Sequence, residues 1–307
     1  MPMNQAQYRV VDPILSTIAQ GYTNAELIGN ALFPIVPVDK SGGKIISFGK
    51  ESFQPSDSLR APGAATKRID VGYVGLPYAL ENHGLEALVP IENMREAQVP
   101  GIDLAGISIK LTQDKHLLNL EVQQATLARN GVLYDANHKV ALAAAAKWSA
   151  ATSTPLADVQ AAKEAIRSTC GRYPNVMVMG AKVFAALQSN PTVTGRFQYT
   201  TAASVTTDML AGFFGVDKVI VGKAVSSTDA GVFSDIWGND VVLAFVPTAI
   251  SSIQQPSFAY TYTMRGNPMV KAPYFDNNRE SWIYGVHFER APLLTGMNSG
   301  FLIQAAV

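Results

Sequence analysis

The chain has 307 residues, with 24 Lys and Arg against 24 Asp and Glu, 48% hydrophobic residues and one cysteine. That length supports one large domain or two smaller ones, each with its own core. Zero formal net charge argues against a dedicated nucleic-acid binder, and a lone cysteine excludes an internal disulfide or a thiolate cluster.

No apolar run approaches the roughly 18 residues needed to cross a bilayer. The opening "MPMNQAQYRVVDPI" lacks the basic head and apolar middle of a secretion signal, so neither membrane insertion nor export is expected. Residues 12–33, "DPILSTIAQGYTNAELIGNALF", read as two short amphipathic helical pieces. Asp12 and Pro13 suit a start, and Ile14, Leu15 and Ile18 form a stripe that Gly21 interrupts. Thr23 or Asn24 caps the second piece, with Leu27, Ile28, Ala31 and Leu32 on one face. Helices this short need a partner. "PIVPVDKSGGKIISFGKESF" is extended, because Pro34 and Pro37 forbid helix and the β-branched residues favour a strand near 45–48.

Beyond the polar stretch "FQPSDSLRAPGAATKRI" (53–69), "RIDVGYVGLPYALE" alternates with period two. Ile69, Val71 and Tyr73 share one face, then the apolar set slips to Val74, Leu76, Tyr78 and Leu80; Gly72 and Gly75 place a bulge near Tyr73. Residues 44–80 thus read as a two-stranded ribbon with a long tip. A lone ribbon is marginal in water, so something outside it must hold it.

"GLEALVPIENMREAQVPGID" reads as short helix and turn. From Asp103 the residues Leu104, Ile107, Leu111, Leu118, Val122 and Ala125 recur at near-heptad spacing. Asp103 suits the cap, and Arg129 with Gly131 the end of one long helix. At 1.5 Å per residue it spans about 40 Å. Further on, Thr154 as cap, Pro155 at the first position and Gly171 at the end punctuate a helix with Leu156, Val159, the Lys163 stem, Ile166 and Cys170 on one face. A strand at 176–179, helices at 181–188 and 208–214, and strands at 218–221 and 241–246 make helices on a small mixed sheet. The tail returns to aromatic and β-branched alternation, as strands of the earlier half, so the second unit is read as an insertion into the first.

Tests for chemistry return little. "SGGKI" fails as a phosphate loop, since Val38 stands where the first glycine is required and Ile follows Lys44. "GMNSG" has Asn, not Ser, at the centre of a nucleophile turn. Cys170 fits a small buried hydrophobe better than a nucleophile. His83, His116, His138 and His287 lack the i, i+4 pairing of metal ligands and read as surface or structurally satisfied histidines. Glu81, His83 and Glu86 read as a polar turn capping a strand. No catalytic residue, cofactor or metal site is assigned, and the chain is not expected to be an enzyme.

Several strings in one order carry a resemblance that covers most of the chain. "DPILSTIAQGYTNAELIGNALFPIVPV" with "GGKIISFGKESF", then "KWSAATSTPLADVQAAKEAIRSTCGRYPNVMVMGAKVFAAL", then "GFFGVDKVIVGKAV" leading to "IWGNDVVLAFV", resemble the major capsid proteins of tailed bacteriophages. Their Hong Kong 97-type fold is shared with encapsulins. The resemblance implies an α+β chain with an N-terminal arm (1–43) and an extended β-ribbon loop (44–80). A peripheral domain (81–147) follows, with a spine helix at about 103–130, then an inserted α/β axial domain (148–250) and return strands of the peripheral domain (251–307).

On that resemblance the ribbon lies across a neighbouring copy, with Phe53, Arg60, Lys67 and Arg68 as candidate inter-subunit contacts. The partners implied are the chain itself, as hexamers and pentamers of a shell, with portal, scaffold and decoration proteins. Double-stranded DNA is enclosed without specific binding, and no membrane is involved. The shell would be assembled in the host cytoplasm and form the virion capsid. Lys44, Lys50 and Lys67 lie in the ribbon, but no acceptor Asn can be placed, so covalent cross-linking is not expected. The shell pattern begins near Asp12, so a scaffolding segment within the chain is not expected either. Two alternatives stay open: an encapsulin-like cellular compartment and a soluble α/β enzyme.

Overall fold

The computed structural model describes residues 27–47, 59, 74–98, 103–197, 205–228, 230–248 and 257–307. In chain order, a 3-10 turn at Gly29–Ala31 leads to β1 (Ile35–Val38), β2 (Gly42–Ser47), β3 (Val74–Ala79), β4 (Glu81–Pro90), α1 (Ile91–Gln98), α2 (Leu104–Arg129) and β5 (Lys139–Ala141). Then come α3 (Pro155–Cys170), β6 (Val176–Gly180), α4 (Ala181–Ser189), α5 (Pro191–Phe197), α6 (Thr207–Phe214), β7 (Lys218–Gly222), β8 (Val225–Ser227), β9 (Phe233–Asp235) and β10 (Val241–Ala244). The chain closes with β11 (Ala259–Met264), β12 (Met269–Val270), β13 (Tyr274–Asp276), β14 (Ser281–Leu294) and β15 (Gly300–Gln304).

The first sheet is organised by β14, whose 14 residues pair antiparallel with β4 on one side and with β11, β12 and β13 on the other. β1 joins in parallel at the edge, beside β11. That edge position is what lets Pro37 sit inside a strand, where its missing N–H deprives no neighbour.

The segment read as helix and turn is different here. Glu81–Pro90 is one continuous strand, in register with β14 from Arg290↔Glu81 to Ser281↔Pro90, and helix begins only at Ile91. Glu81, His83 and Glu86 therefore stand within a strand and not in a turn. His83, Leu85, Ala87 and Val89 share the inward face at period two, while Glu86 points outward.

The second sheet runs β5-β15-β10-β6-β7 and is buried on both faces. Met177, Met179, Val241, Leu243, Phe301 and Ile303 point into one core, shared with Trp148, Val159, Ile166 and Phe214. Val176, Val178, Val242, Ala244 and Leu302 point into the other, shared with Leu32, Phe33, Ala125, Ala128, Trp237 and Phe258. The sheet thus lies between the inserted helices and the end of α2. Residues 259–294 join the first sheet, and Gly300–Gln304 pairs in the second with β10 and with β5, where a Phe-Leu-Ile run buried on both faces has cover on both sides.

Helix punctuation follows the sequence closely. The Asp103 carboxylate accepts from Gly106 N at 3.1 Å, capping α2, and Gly171 (φ 70°) and Gly215 (φ 63°) end α3 and α6 in the left-handed region that favours glycine. Lys163 lays its stem along α3 and donates to the Phe214 and Gly215 carbonyls at 2.9 and 2.6 Å, satisfying the end of α6. Thr154 caps α3 through its backbone carbonyl only. Asp158 instead accepts from the Nε1–H of buried Trp148 at 2.9 Å.

Candidate assembly interface

Among the described residues β2 and β3 pair only with each other, in register from Gly42↔Ala79 to Ser47↔Val74. The root of this ribbon is fastened: Tyr78 and Leu80 pack on a core of Val36, Val38, Tyr260 and Tyr262. Tyr78 stacks on Tyr262 with centroids 5.4 Å apart and donates its hydroxyl to the Lys40 carbonyl at 3.2 Å. The contact candidates Phe53, Arg60, Lys67 and Arg68 all lie outside the described residues, as does the bulge expected near Tyr73. Of the ribbon lysines, Lys44 is described, exposed and opposite Pro77; Lys50 and Lys67 are not.

α2 is the element on which everything else is hung, and polar side chains share its buried face with Ile109, Leu120, Ala125 and Ala128: Thr112, Gln113, His116, Glu121 and Gln124 are all at most 5% exposed. Thr112 bonds back to the Ser108 carbonyl one turn earlier, whereas Glu121 and Gln124 tie α2 to distant parts of the chain. Glu121 accepts from Ile28 N (3.0 Å), Gly29 N (2.8 Å) and Trp237 Nε1 (2.6 Å). Gln124 donates to Asn30 Oδ1 (3.1 Å) and Thr261 Oγ1 (2.9 Å). At the helix end Arg129 pairs with Asp240 at 2.7 Å and donates to the Ile236 carbonyl, while Asp240 also accepts from Ala305 N. One side of a single helix thus fixes the N-terminal segment, the first sheet and the second.

A third group lies beneath the middle of the helix. Arg290 is fully buried, donates Nη1 to the His116 carbonyl at 2.6 Å and lies 4.9 Å from the centre of the Phe288 ring; its Nε and Nη2 have no partner among the described residues. Burial pushes its pKa down to about 10, with Glu81 opposing. His116 donates Nε2–H to the Val286 carbonyl at 3.1 Å, which fixes the neutral tautomer. His83, directly opposite Phe288 in the β-ladder, is 3.6 Å from Glu81. Burial holds both histidines below their usual range, and the Arg290 charge adds to it. His287 faces Asn82 at 3.4 Å, and His138 Nε2 meets Thr169 Oγ1 at 3.0 Å, so the four histidines do not converge. Among the described residues no three His, Cys, Asp or Glu gather as a metal site. Cys170 is half-buried, with its thiol toward the Arg172 carbonyl.

Among the described residues, the bare surface includes two apolar patches that the sequence reading did not single out. Ile107 and Leu111, one turn apart near the start of α2, are 53% and 56% exposed although both belong to the stripe read as the core face. Val232 and Phe233, at the turn between β8 and β9, are 62% and 73% exposed. The second patch had a signal: "GVF" is the apolar break in the polar run "SSTDAGVFSD".

A subunit of few chemical groups, hung on one long helix, with a self-paired ribbon and bare apolar patches, is of the class that builds shells. The fold is that of the Hong Kong 97-type capsid proteins and encapsulins: an encapsulin complex from Synechococcus elongatus PCC 7942 superposes with a TM-score of 0.56 at 12% identity, covering 99% of this chain and 96% of that one. A phage-related protein from Bordetella bronchiseptica RB50 superposes with a TM-score of 0.84 at 44% identity, over 98% and 99% of the two chains. The major capsid protein of Burkholderia phage BcepMu is 37% identical over 303 residues, 97% of either chain. Residues 133–294 match the model of the family described as phage major capsid protein E. The chain belongs to the phage major capsid protein family.

Proposed function

We propose that copies of this chain close into an icosahedral shell of hexamers and pentamers around double-stranded DNA, held without specific binding. Residues 1–43 act as an arm, 44–80 as the loop reaching a neighbour, 81–147 with the return strands as the peripheral domain, and 148–250 as the axial domain. The observation that carries this reading is the ribbon, whose two strands, among the described residues, pair with nothing but each other and are fastened at the root. A two-stranded ribbon without a third strand gains burial from another copy.

Phe53, Arg60, Lys67 and Arg68 anchor the ribbon tip on the neighbour, and many such contacts, each weak, let misplaced copies leave while the closed shell holds. The zero net charge suits a container whose inner wall must not grip its cargo. The shell works without catalysis, is assembled in the host cytoplasm and draws on portal and scaffold proteins. Negative-stain imaging of the purified protein after assembly, with sedimentation and extraction of the contents, tests it. Closed particles from virions containing genome-length duplex DNA are expected. Small discrete oligomers would overturn the proposal, and a packaged enzyme in place of DNA would assign a cellular compartment instead.

A further inference from the structure

The apolar stripe on α2 is covered along only half its length. At 100° per residue Ile107, Leu111, Leu118 and Val122 fall within about 60° of one another around the axis. Leu118 and Val122 are half-buried against the core that also takes up Leu27 and Ile28, whereas Ile107 and Leu111 are more than half exposed. The N-terminal segment therefore packs into the same core as the covered end of this stripe.

Its direction is given by its hydrogen bonds. Asn30 lies at Gln124, and Ile28 and Gly29 lie at Glu121. Stepping back along the segment thus means stepping back along the helix, and also around it, from Gln124 past Glu121 toward the stripe. In that same sense along the helix, Leu111 and Ile107 lie about 10 and 16 Å beyond Leu118. Ile18 is nine residues before Leu27, a reach of about 13 Å as helix and about 30 Å extended. The sequence supplies the matching face there, Ile14, Leu15 and Ile18.

We propose that Ile14, Leu15 and Ile18 cover Ile107 and Leu111 of the same chain, so that the stripe on α2 is the docking track of the arm. It rests on the reading of residues 1–43 as an arm and not on shell formation. The ribbon of a neighbouring copy is the weaker occupant: the segment that already packs into the core beside Leu118 and Val122 is the N-terminal one, and its described residues run along α2 in the direction of the uncovered part.

Disulfide trapping tests this in a Cys170→Ser background, with Ile18→Cys paired to Leu111→Cys and, separately, Leu15→Cys paired to Ile107→Cys. Subunits labelled with light and heavy nitrogen are mixed before assembly, and the cross-linked peptides are weighed. All-light and all-heavy peptides from at least one pair, in the free subunit as well as in particles, are expected. Mixed-label peptides would place the arm on a neighbour, and no cross-link from either pair would leave the track without the arm; each overturns the proposal. Leu111→Asp should in addition raise the rate at which a broad protease removes the first 26 residues by about ten-fold, since docking of one such residue is worth that factor. An unchanged rate counts against it. Sedimentation of the same samples reports shell formation separately.

Discussion

Glu121 concentrates the chemistry of the fold in one side chain. A buried carboxylate is tolerated only when its oxygens are hydrogen-bonded, and here two backbone N–H groups and an indole N–H do so, from segments 92 residues before and 116 after it. Glu121→Ala would orphan all three buried donors, at a cost of about 3 kcal/mol or more. We expect a lower melting temperature, a red-shift of Trp237 emission and faster amide exchange at residues 28–29. A variant with wild-type melting and exchange would show that the node carries no stability. Nothing in "NLEVQQATLAR" marks Glu121 as buried, since a carboxylate amid glutamines on a helix reads as a solvated face; the signal lies in partners far away in sequence.

The histidines under α2 set a pH dependence. His83 and His116 both have a folded pKa below the ordinary 6.5, chiefly through burial. The unfolded chain therefore binds more protons than the folded one as pH falls through that value. Above about pH 6.5 these groups leave stability unchanged; below it the folded state loses ground, until they charge in both states. At His116 the hydrogen bond to the Val286 carbonyl opposes the effect while Arg290, His83 and His287 strengthen it; at His83 Arg290 strengthens it and Glu81 opposes it. Urea melts from pH 7.5 to 5 should show a falling midpoint that His116→Gln flattens, and a midpoint that rises toward acid would contradict the assignment.

At the level of elements, ends were legible and faces were not. The caps of α2, α3 and α6 depend on residues next to them in the chain, so Asp103, Gly171 and Gly215 could be read directly. Which side of α2 is buried depends on what arrives from elsewhere: a carbonyl of β14, a guanidinium, and the backbone of residues 28–29. Those neighbours require polar partners, so Gln113, His116 and Glu121 go inward, while the apolar residues that set the heptad-like count form a second stripe. β4 was missed for a related reason, because its pairing partner lies almost 200 residues away. The ribbon's attachment is also an element-scale property, carried by Tyr78. Tyr78→Ala removes the Tyr262 stack and the Lys40 hydrogen bond, and should lower the melting temperature by about 2–3 °C. The larger effect should be on proteolysis, with residues 42–79 nicked several-fold faster while the rest of the chain stays protected. Protection equal to wild type would mean the root is held by something other than this aromatic contact.

For the molecule as a whole, what is learned from one chain stops where the chain stops being self-sufficient. The two-sided burial of the second sheet and the tethering of α2 account for a stable body, and neither involves the ribbon beyond its root. Folding and assembly should therefore separate. Replacing residues 54–66 by a short Gly-Ser turn should leave the melting temperature within about 2 °C, because the excised stretch has almost nothing apolar to bury. The same variant should fail to reach the sedimentation rate of particles. Substituting Arg60, Lys67 and Arg68 with alanine is the gentler version: particles should still form at high protein concentration but fall apart at lower dilution than wild type, since avidity multiplies a small loss at each contact over every copy in the shell. If the shortened chain instead closes into normal particles, the ribbon is not what joins one copy to the next, and the bare residues Val232 and Phe233 become the first place to look for what does.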